Sequence, residues 1–91
     1  MKVNPDYVMR KIAGECVIIP TGQAAEQFNG MISLNETGAF LWEALAEERT
    51  MSELVELMTS EFEVEEPLAA LDVETFVRQM KQQGLLCNAN E

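Results

Sequence analysis

The N-terminal third of the chain alternates short apolar runs with turn residues. Residues 7 to 12 (YVMRKI) and 16 to 20 (CVIIP) are rich in β-forming residues, and Gly14 lies between them in a short turn. Asn29-Gly30 is a strong hairpin signal, because a type I′ turn needs positive φ at both central residues. Residues 31–34 (MISL) follow it as a third short apolar run. The pattern predicts a small antiparallel sheet of three strands.

From Asn35 onward, the period of the apolar residues changes from two to about 3.6, which indicates helices. Asn35 can accept a hydrogen bond from the first free N–H groups of a helix. Thr50 and Glu53 have the spacing of a capping box, which begins a second helix. Pro67 suits the first turn of a third helix, and Gly84 suits its end. A three-stranded antiparallel sheet followed by three helices is an α+β fold, with the layout of a winged helix-turn-helix module.

The charge balance narrows the classes of partner. The 91 residues include 16 acidic and 6 basic side chains and no histidine, for a formal net charge of −10. Nucleic-acid affinity depends on Lys and Arg that neutralise phosphates, so this balance argues against a nucleic-acid partner. It argues equally against binding to an anionic membrane surface.

The length predicts one domain over residues 1–91. The N-terminus lacks the apolar segment of a signal peptide. No run approaches the roughly 20 apolar residues that a membrane span requires. We therefore expect a cytoplasmic protein without a membrane partner.

The sequence contains no motif that indicates catalysis. Histidine, the commonest general base and metal ligand, is absent, and no nucleotide-binding or nucleophile motif occurs. Asp72 and Glu74 are two positions apart and would not face each other on a helix. We expect no enzyme activity, no catalytic residue, no metal site and no cofactor. Cys16 and Cys87 match no zinc spacing; a single bridge between them is the alternative to the reduced thiols expected in the cytosol.

Three stretches together resemble one family. LNETGAFLWEAL (34–45), TMSELVELM (50–58) and DVETFVRQMKQQGLL (72–86) are similar, in this order and spacing, to the PqqD family of pyrroloquinoline quinone (coenzyme PQQ) biosynthesis proteins. The resemblance spans about residues 7 to 87, which it implies are the core of a PqqD-like peptide-recognition domain. It implies a RiPP recognition element, a peptide chaperone that binds the leader segment of a ribosomally made precursor peptide. Such a domain presents the peptide to a modifying enzyme, often a radical S-adenosylmethionine (SAM) enzyme, and does no chemistry itself.

The resemblance also implies where the leader binds, namely as a strand added to the edge of the small sheet and against the third helix. On helix three, Arg78 and Lys81 are neighbours that could attract an acidic leader; equally, they could complement the negative end of the helix. Residues 31–34 could instead do no more than close the sheet. The candidate peptide-binding residues are Met31, Ile32, Ser33, Leu34, Val77, Arg78 and Lys81.

Two other functions fit a winged helix-turn-helix layout. A DNA-binding regulator needs a basic recognition helix, whereas helix three offers Arg78 and Lys81 against Asp72 and Glu74. A small structural module could self-associate, because an exposed strand edge can pair with its own copy to give a homodimer.

Overall fold

The computed structural model describes residues 1–22 and 32–87. Within these residues it contains, in chain order, β1 (Lys2–Val3), β2 (Tyr7–Ile12), β3 (Glu15–Pro20), β4 (Ile32–Leu34), α1 (Glu36–Ala44), α2 (Met51–Glu61), α3 (Glu66–Gln82) and β5 (Leu86–Cys87). The predicted α+β fold, a three-stranded antiparallel sheet followed by three helices, is confirmed.

The three-stranded sheet has the order β2-β3-β4, so that β3 lies in the centre. Ala13 and Gly14 form the two-residue loop between β2 and β3, with φ values of 53° and 84°. Positive φ at both loop residues is the geometry of a type I′ turn, which matches the twist of the strands on either side. The turn that the sequence predicts at Gly14 and the antiparallel pairing of the first two predicted strands are therefore confirmed.

The third strand, β4, pairs with β3 in antiparallel register, with Ile32 opposite Ile18 and Leu34 opposite Cys16. The prediction of a third strand is confirmed over Ile32–Leu34. Met31 and the predicted Asn29-Gly30 turn lie outside the described residues.

A second, two-stranded sheet of β1 and β5 was not predicted. Val3 lies opposite Leu86 in this sheet. The backbone N–H of Val3 also donates to the carbonyl of Leu45 at 2.9 Å, and that of Asn4 donates to the carbonyl of Leu85 at 2.8 Å. The first residues of the chain thus join the end of α1 to the end of α3.

The helices α1 and α2 begin at the caps expected from the sequence. The Asn35 side-chain oxygen accepts a hydrogen bond from the Gly38 N–H at 2.8 Å. The Thr50 hydroxyl accepts from the Glu53 N–H at 3.1 Å, and the Glu53 carboxylate accepts from the Thr50 N–H at 2.8 Å. Each bond satisfies a donor that has no partner inside its helix.

The ends of α3 also follow the prediction. Pro67 lies in the first turn, where a missing N–H costs no helical hydrogen bond. Gly84 has a φ of 74°, just beyond the helix. The N–H of Leu85 donates to the carbonyl of Met80 at 2.9 Å, and that of Gly84 to the carbonyl of Lys81 at 3.1 Å. These two bonds form a Schellman motif, which turns the chain back so that Leu85 enters the core.

One hydrophobic core joins the sheet to the helices. On α3 the buried residues recur at helical spacing, so that a single stripe of the helix faces inward. No helix in the described part of the chain has the length and apolar character to cross a membrane. The core residues are Ile18, Leu41, Trp42, Leu45, Leu54, Met58, Ala69, Val73, Phe76, Val77, Met80 and Leu85.

Candidate functional site

An open groove lies between β4 and α3, and we refer to it as the β4–α3 groove. Its volume is about 880 Å³, which is in the upper part of the range for ligand sites. One wall consists of β4 and the beginning of α1, and the other is one face of α3. The lining residues are Ile32, Ser33, Leu34, Asn35, Thr37, Gly38, Leu41, Leu71, Asp72, Thr75, Phe76, Gln79, Met80, Gln82 and Gln83.

The helical wall of the groove is as long as a short strand. The lining residues of α3 run from Leu71 to just past the end of the helix at Gln83. At about 1.5 Å per helical residue, this wall is about 18 Å long. A segment of about five extended residues, at about 3.4 Å each, has the same length.

The strand wall of the groove has a free edge. One edge of β4 is hydrogen-bonded to β3, and no strand within 1–22 or 32–87 pairs with the other edge. Strand N–H and C=O groups point alternately to the two sides, so such an edge presents a row of backbone donors and acceptors. This edge can accept one further strand.

Gly38 allows the beginning of α1 to pack closely against the end of β4. A Cβ atom at this buried position would lie 3.1 Å from the Asn35 side-chain oxygen and 3.5 Å from Leu34 Cβ. The first distance is tighter than an ordinary van der Waals contact, so a methyl group would push against the oxygen that caps the helix. This crowding accounts for a glycine in the first turn of α1, where it costs about 1 kcal/mol of helix propensity.

The groove is almost uncharged. Among its lining residues in the described part of the chain, Asp72 alone carries a charge. Leu71 and Phe76 contribute apolar surface beside it, and the remaining polar lining consists of hydroxyl and amide side chains. The groove therefore suits a ligand that offers backbone hydrogen bonds and apolar side chains.

The structure brings together some of the predicted site residues and separates others. Ile32, Ser33 and Leu34 all line the groove, whereas Met31 lies outside the described residues. Val77 is only 6% exposed and belongs to the core. The strand residues thus lie at one site, and the helical candidate Val77 does not reach it.

The two basic candidates on α3 also lie outside the groove lining. The Arg78 guanidinium donates to the Glu74 carboxylate at 2.7 Å, one turn earlier on the same exposed face. Lys81 is exposed in the last turn of α3, where its charge complements the negative end of the helix.

Sequence reasoning missed the residues by which α3 faces the groove, namely Leu71, Asp72, Thr75 and Gln79. The core stripe of α3 contains Ala69, Val73 and Phe76, so the exposed Leu68 and Leu71 both lie outside it. Of these two leucines Leu71 lines the groove and Leu68 does not, so the sequence pattern alone did not identify the groove face.

Three further ionisable residues, Glu53, Cys16 and Cys87, lie outside the groove lining. A hydrogen bond from the Thr50 backbone N–H holds the pKa of the Glu53 carboxyl below its ordinary value, since it stabilises the charged form. Cys16 and Cys87 are free thiols, so the alternative of a disulfide between them is not observed. In residues 1–22 and 32–87, no group of three or more His, Cys, Asp or Glu side chains could hold a metal ion.

A comparison with family models matches residues 15–86 to Coenzyme PQQ synthesis protein D (PqqD). The chain belongs to the PqqD family. The matched segment runs from β3 into β5 and so contains both walls of the β4–α3 groove. The family resemblance found in the sequence is confirmed, and it covers the candidate site of this PqqD-family chain.

Two solved structures share the fold of this PqqD-family chain. "TbiB1 in Complex with the TbiA(beta) Leader Peptide" superposes with a TM-score of 0.74 and 24% sequence identity, over 94% of each chain. "Lasso peptide synthetase B1 complexed with the leader peptide" superposes with a TM-score of 0.73 and 21% identity, over 96% of each chain. A search of curated protein sequences finds no match.

Proposed function

We propose that this PqqD-family chain is a non-catalytic adaptor that binds the leader segment of a ribosomally made precursor peptide in the β4–α3 groove. The observation that carries the proposal is the free edge of β4, which lies across the groove from a face of α3. The two structures of similar fold are described as complexes with leader peptides, which supports the same ligand class here.

Strand addition explains how such a groove holds a peptide. The leader extends the order β2-β3-β4 by one strand, and its backbone bonds to the free edge of β4 supply affinity. Alternate side chains of an added strand point to the same face, so every second one faces α3. The exposed Leu71 then provides the main apolar contact that distinguishes one leader from another, and the largely buried Phe76 also lines the groove.

The opposite edge of the sheet is a poorer site for strand addition. Among the described strands, β2 forms that edge, and Arg10 and Lys11 are exposed on it. Charged side chains on an edge strand oppose the pairing of a further strand. Ile32, Ser33 and Leu34 place no charge on the β4 edge, so we assign the peptide to β4.

The adaptor delivers its peptide to a separate modifying enzyme, which we propose is a radical SAM enzyme of the cytoplasm. The chain has no histidine to act as a general base. A DNA-binding role is disfavoured because α3 exposes Asp72 and pairs Arg78 with Glu74, so that Lys81 alone is too little for a basic recognition surface.

An NMR titration of the ¹⁵N-labelled chain tests the proposal, with the leader of a precursor peptide encoded beside its gene as the probe. We expect saturable shifts at Ile32, Ser33 and Leu34 and at the groove face of α3. Shifts confined to β2, or no shift at millimolar peptide, would overturn it. Light scattering on the same samples reports whether a second copy occupies the β4 edge instead; a dimer that the leader does not dissociate would favour the self-associating module.

Proline substitutions test strand addition directly. Neighbouring residues of a strand point their N–H groups to opposite edges, so one of Ile32 and Ser33 donates to β3 and the other toward the groove. Proline at either position removes the N–H group of that residue. At the outward position we expect a folded protein that binds the leader about three- to tenfold more weakly, the cost of one backbone hydrogen bond. At the inward position we expect a less stable sheet.

The matched controls Ile32→Ala and Ser33→Ala keep the N–H and remove only side-chain contacts. Strand addition requires that the outward proline variant bind more weakly than its alanine control. If Ile32→Pro and Ser33→Pro both fold and both bind as tightly as their alanine controls, the peptide does not use this edge.

A further inference from the structure

The β4–α3 groove contains one carboxylate that nothing in the described structure neutralises. Asp72 is exposed on α3 and is the single charged residue lining the described groove. Its side chain makes no hydrogen bond or ion pair with another described residue. The nearest basic residues along α3 do not compensate it, because Arg78 bonds Glu74 and Lys81 does not line the groove.

A bound peptide strand would remove water from this carboxylate. A carboxylate that loses water without gaining a partner destabilises the complex, whereas a cationic partner on the peptide offsets that cost. A leader with Lys or Arg opposite Asp72 therefore binds better than one with a neutral or acidic residue there. The apolar neighbours Leu71 and Phe76 favour apolar side chains elsewhere on the same face of the leader.

On the basis of the proposed function, we propose that Asp72 determines leader specificity by selecting segments with Lys or Arg at the position that faces it. The substrate class is thus a leader with a cationic residue among apolar ones. This differs from the acidic leader that Arg78 and Lys81 suggested in the sequence, since neither of those side chains lines the groove.

The net charge of the whole chain also favours cationic peptides, but it does not favour a cation at any particular position of the peptide. A formal charge of −10 attracts any cationic peptide over long range, and salt screens this attraction. A specificity residue must instead favour a cation at one position of the peptide. The experiment therefore has to separate position from total charge.

A yeast-displayed library of random 12-residue peptides, sorted against the labelled full chain, supplies the probe. We expect binders to align as a β-type segment with Lys or Arg enriched at one fixed position. Sorting against Asp72→Asn should abolish the enrichment at that position, and sorting against Asp72→Lys should replace it with Asp or Glu. Glu56→Gln is the matched control: it removes an exposed carboxylate from α2, outside the groove, and should leave the enrichment unchanged.

A double-mutant cycle then measures the interaction between one recovered peptide and Asp72. The peptide's cationic residue is replaced by Gln, and both peptides are titrated against the wild type and Asp72→Asn. We expect the replacement to weaken binding about two- to fivefold for the wild type, as for a solvent-accessible ion pair. Binding to Asp72→Asn should not change, and the difference should shrink at high salt.

The outcomes separate this inference from the proposed function. If Asp72→Asn keeps the cationic position, or if the wild type shows none, the role of Asp72 is refuted while peptide binding by the groove stands. If binders are recovered but Ile32 and Ser33 proline variants retain them fully, the peptide does not bind at the β4 edge and both proposals fail. Recovery of no binder at all would also contradict both.

Discussion

Leu71 and Leu68 offer a test of the groove in which two nearly identical substitutions have different expected results. Both leucines lie on α3, three positions apart, and both are 57% exposed. Leu71 lines the β4–α3 groove and Leu68 does not. Because the two side chains start from the same exposure, truncation to alanine should affect folding about equally, and any difference in peptide binding reports the position of the peptide.

The loss of affinity expected for Leu71→Ala follows from the exposed area of Leu71 that a bound leader would cover. Complete burial of a leucine side chain contributes about 1.5–3 kcal/mol. Covering the remaining 57% of Leu71 would contribute about 0.9–1.7 kcal/mol. Leu71→Ala should therefore raise the Kd for the leader by about five- to eighteenfold, whereas Leu68→Ala should change it less than about twofold.

Fluorescence anisotropy with a labelled leader measures both Kd values, and urea unfolding of the two variants establishes that their stabilities are similar. The placement of the peptide predicts a clear ratio between the variants. Equal losses of affinity, or a larger loss for Leu68→Ala, would show that the leader lies elsewhere on α3 or does not contact it.

Two further predictions concern local structure outside the groove. Ala13 occupies the left-handed region with a φ of 53°, which is unfavourable for a residue with a Cβ, so Ala13→Asn should raise the free energy of unfolding by about 0.5–1 kcal/mol. Urea unfolding measures this, and an unchanged or lower stability would refute the turn geometry. The pKa of Glu53 is lowered in the fold by the hydrogen bond from Thr50, so its contribution to stability is present above its unfolded pKa and disappears as the pH falls through the folded pKa. Glu53→Gln should therefore lose less stability on acidification than the wild type; parallel pH profiles in urea unfolding would contradict the capping box.

The local features of the fold were predictable because each depends on residues close together in the chain. Asn35 accepts from Gly38 three residues later, and Gly84 reverses the chain within one turn of α3. The β1–β5 pair was missed because Val3 and Leu86 are more than 80 positions apart. Two-residue strands carry no periodic pattern, so only the packed structure brings them together.

The sequence predicted the strand that forms one wall of the candidate site, but it did not identify the α3 residues that form the other wall. The apolar run 31–34 between a turn signal and a helix cap predicted a strand, and the structure has this strand over Ile32–Leu34. The face of α3 that meets the strand depends on how α3 packs against the other helices. Selecting residues for their basic charge led to Arg78 and Lys81, whereas packing directs Asp72 and its neighbours into the groove.

The two edges of the small sheet show how the chain can limit aggregation while one edge stays open. An open edge pairs readily with another copy, and proteins counter this with charged side chains or with very short edge strands. The six-residue β2 carries exposed Arg10 and Lys11, which is the first device. The described residues of β4, Ile32–Leu34, carry no charge, and the wall of α3 across the groove requires any added strand to fit its side chains as well. A second copy would have to satisfy both walls to bind, so we expect a peptide that matches α3 to occupy the β4 edge in preference to another copy of the chain.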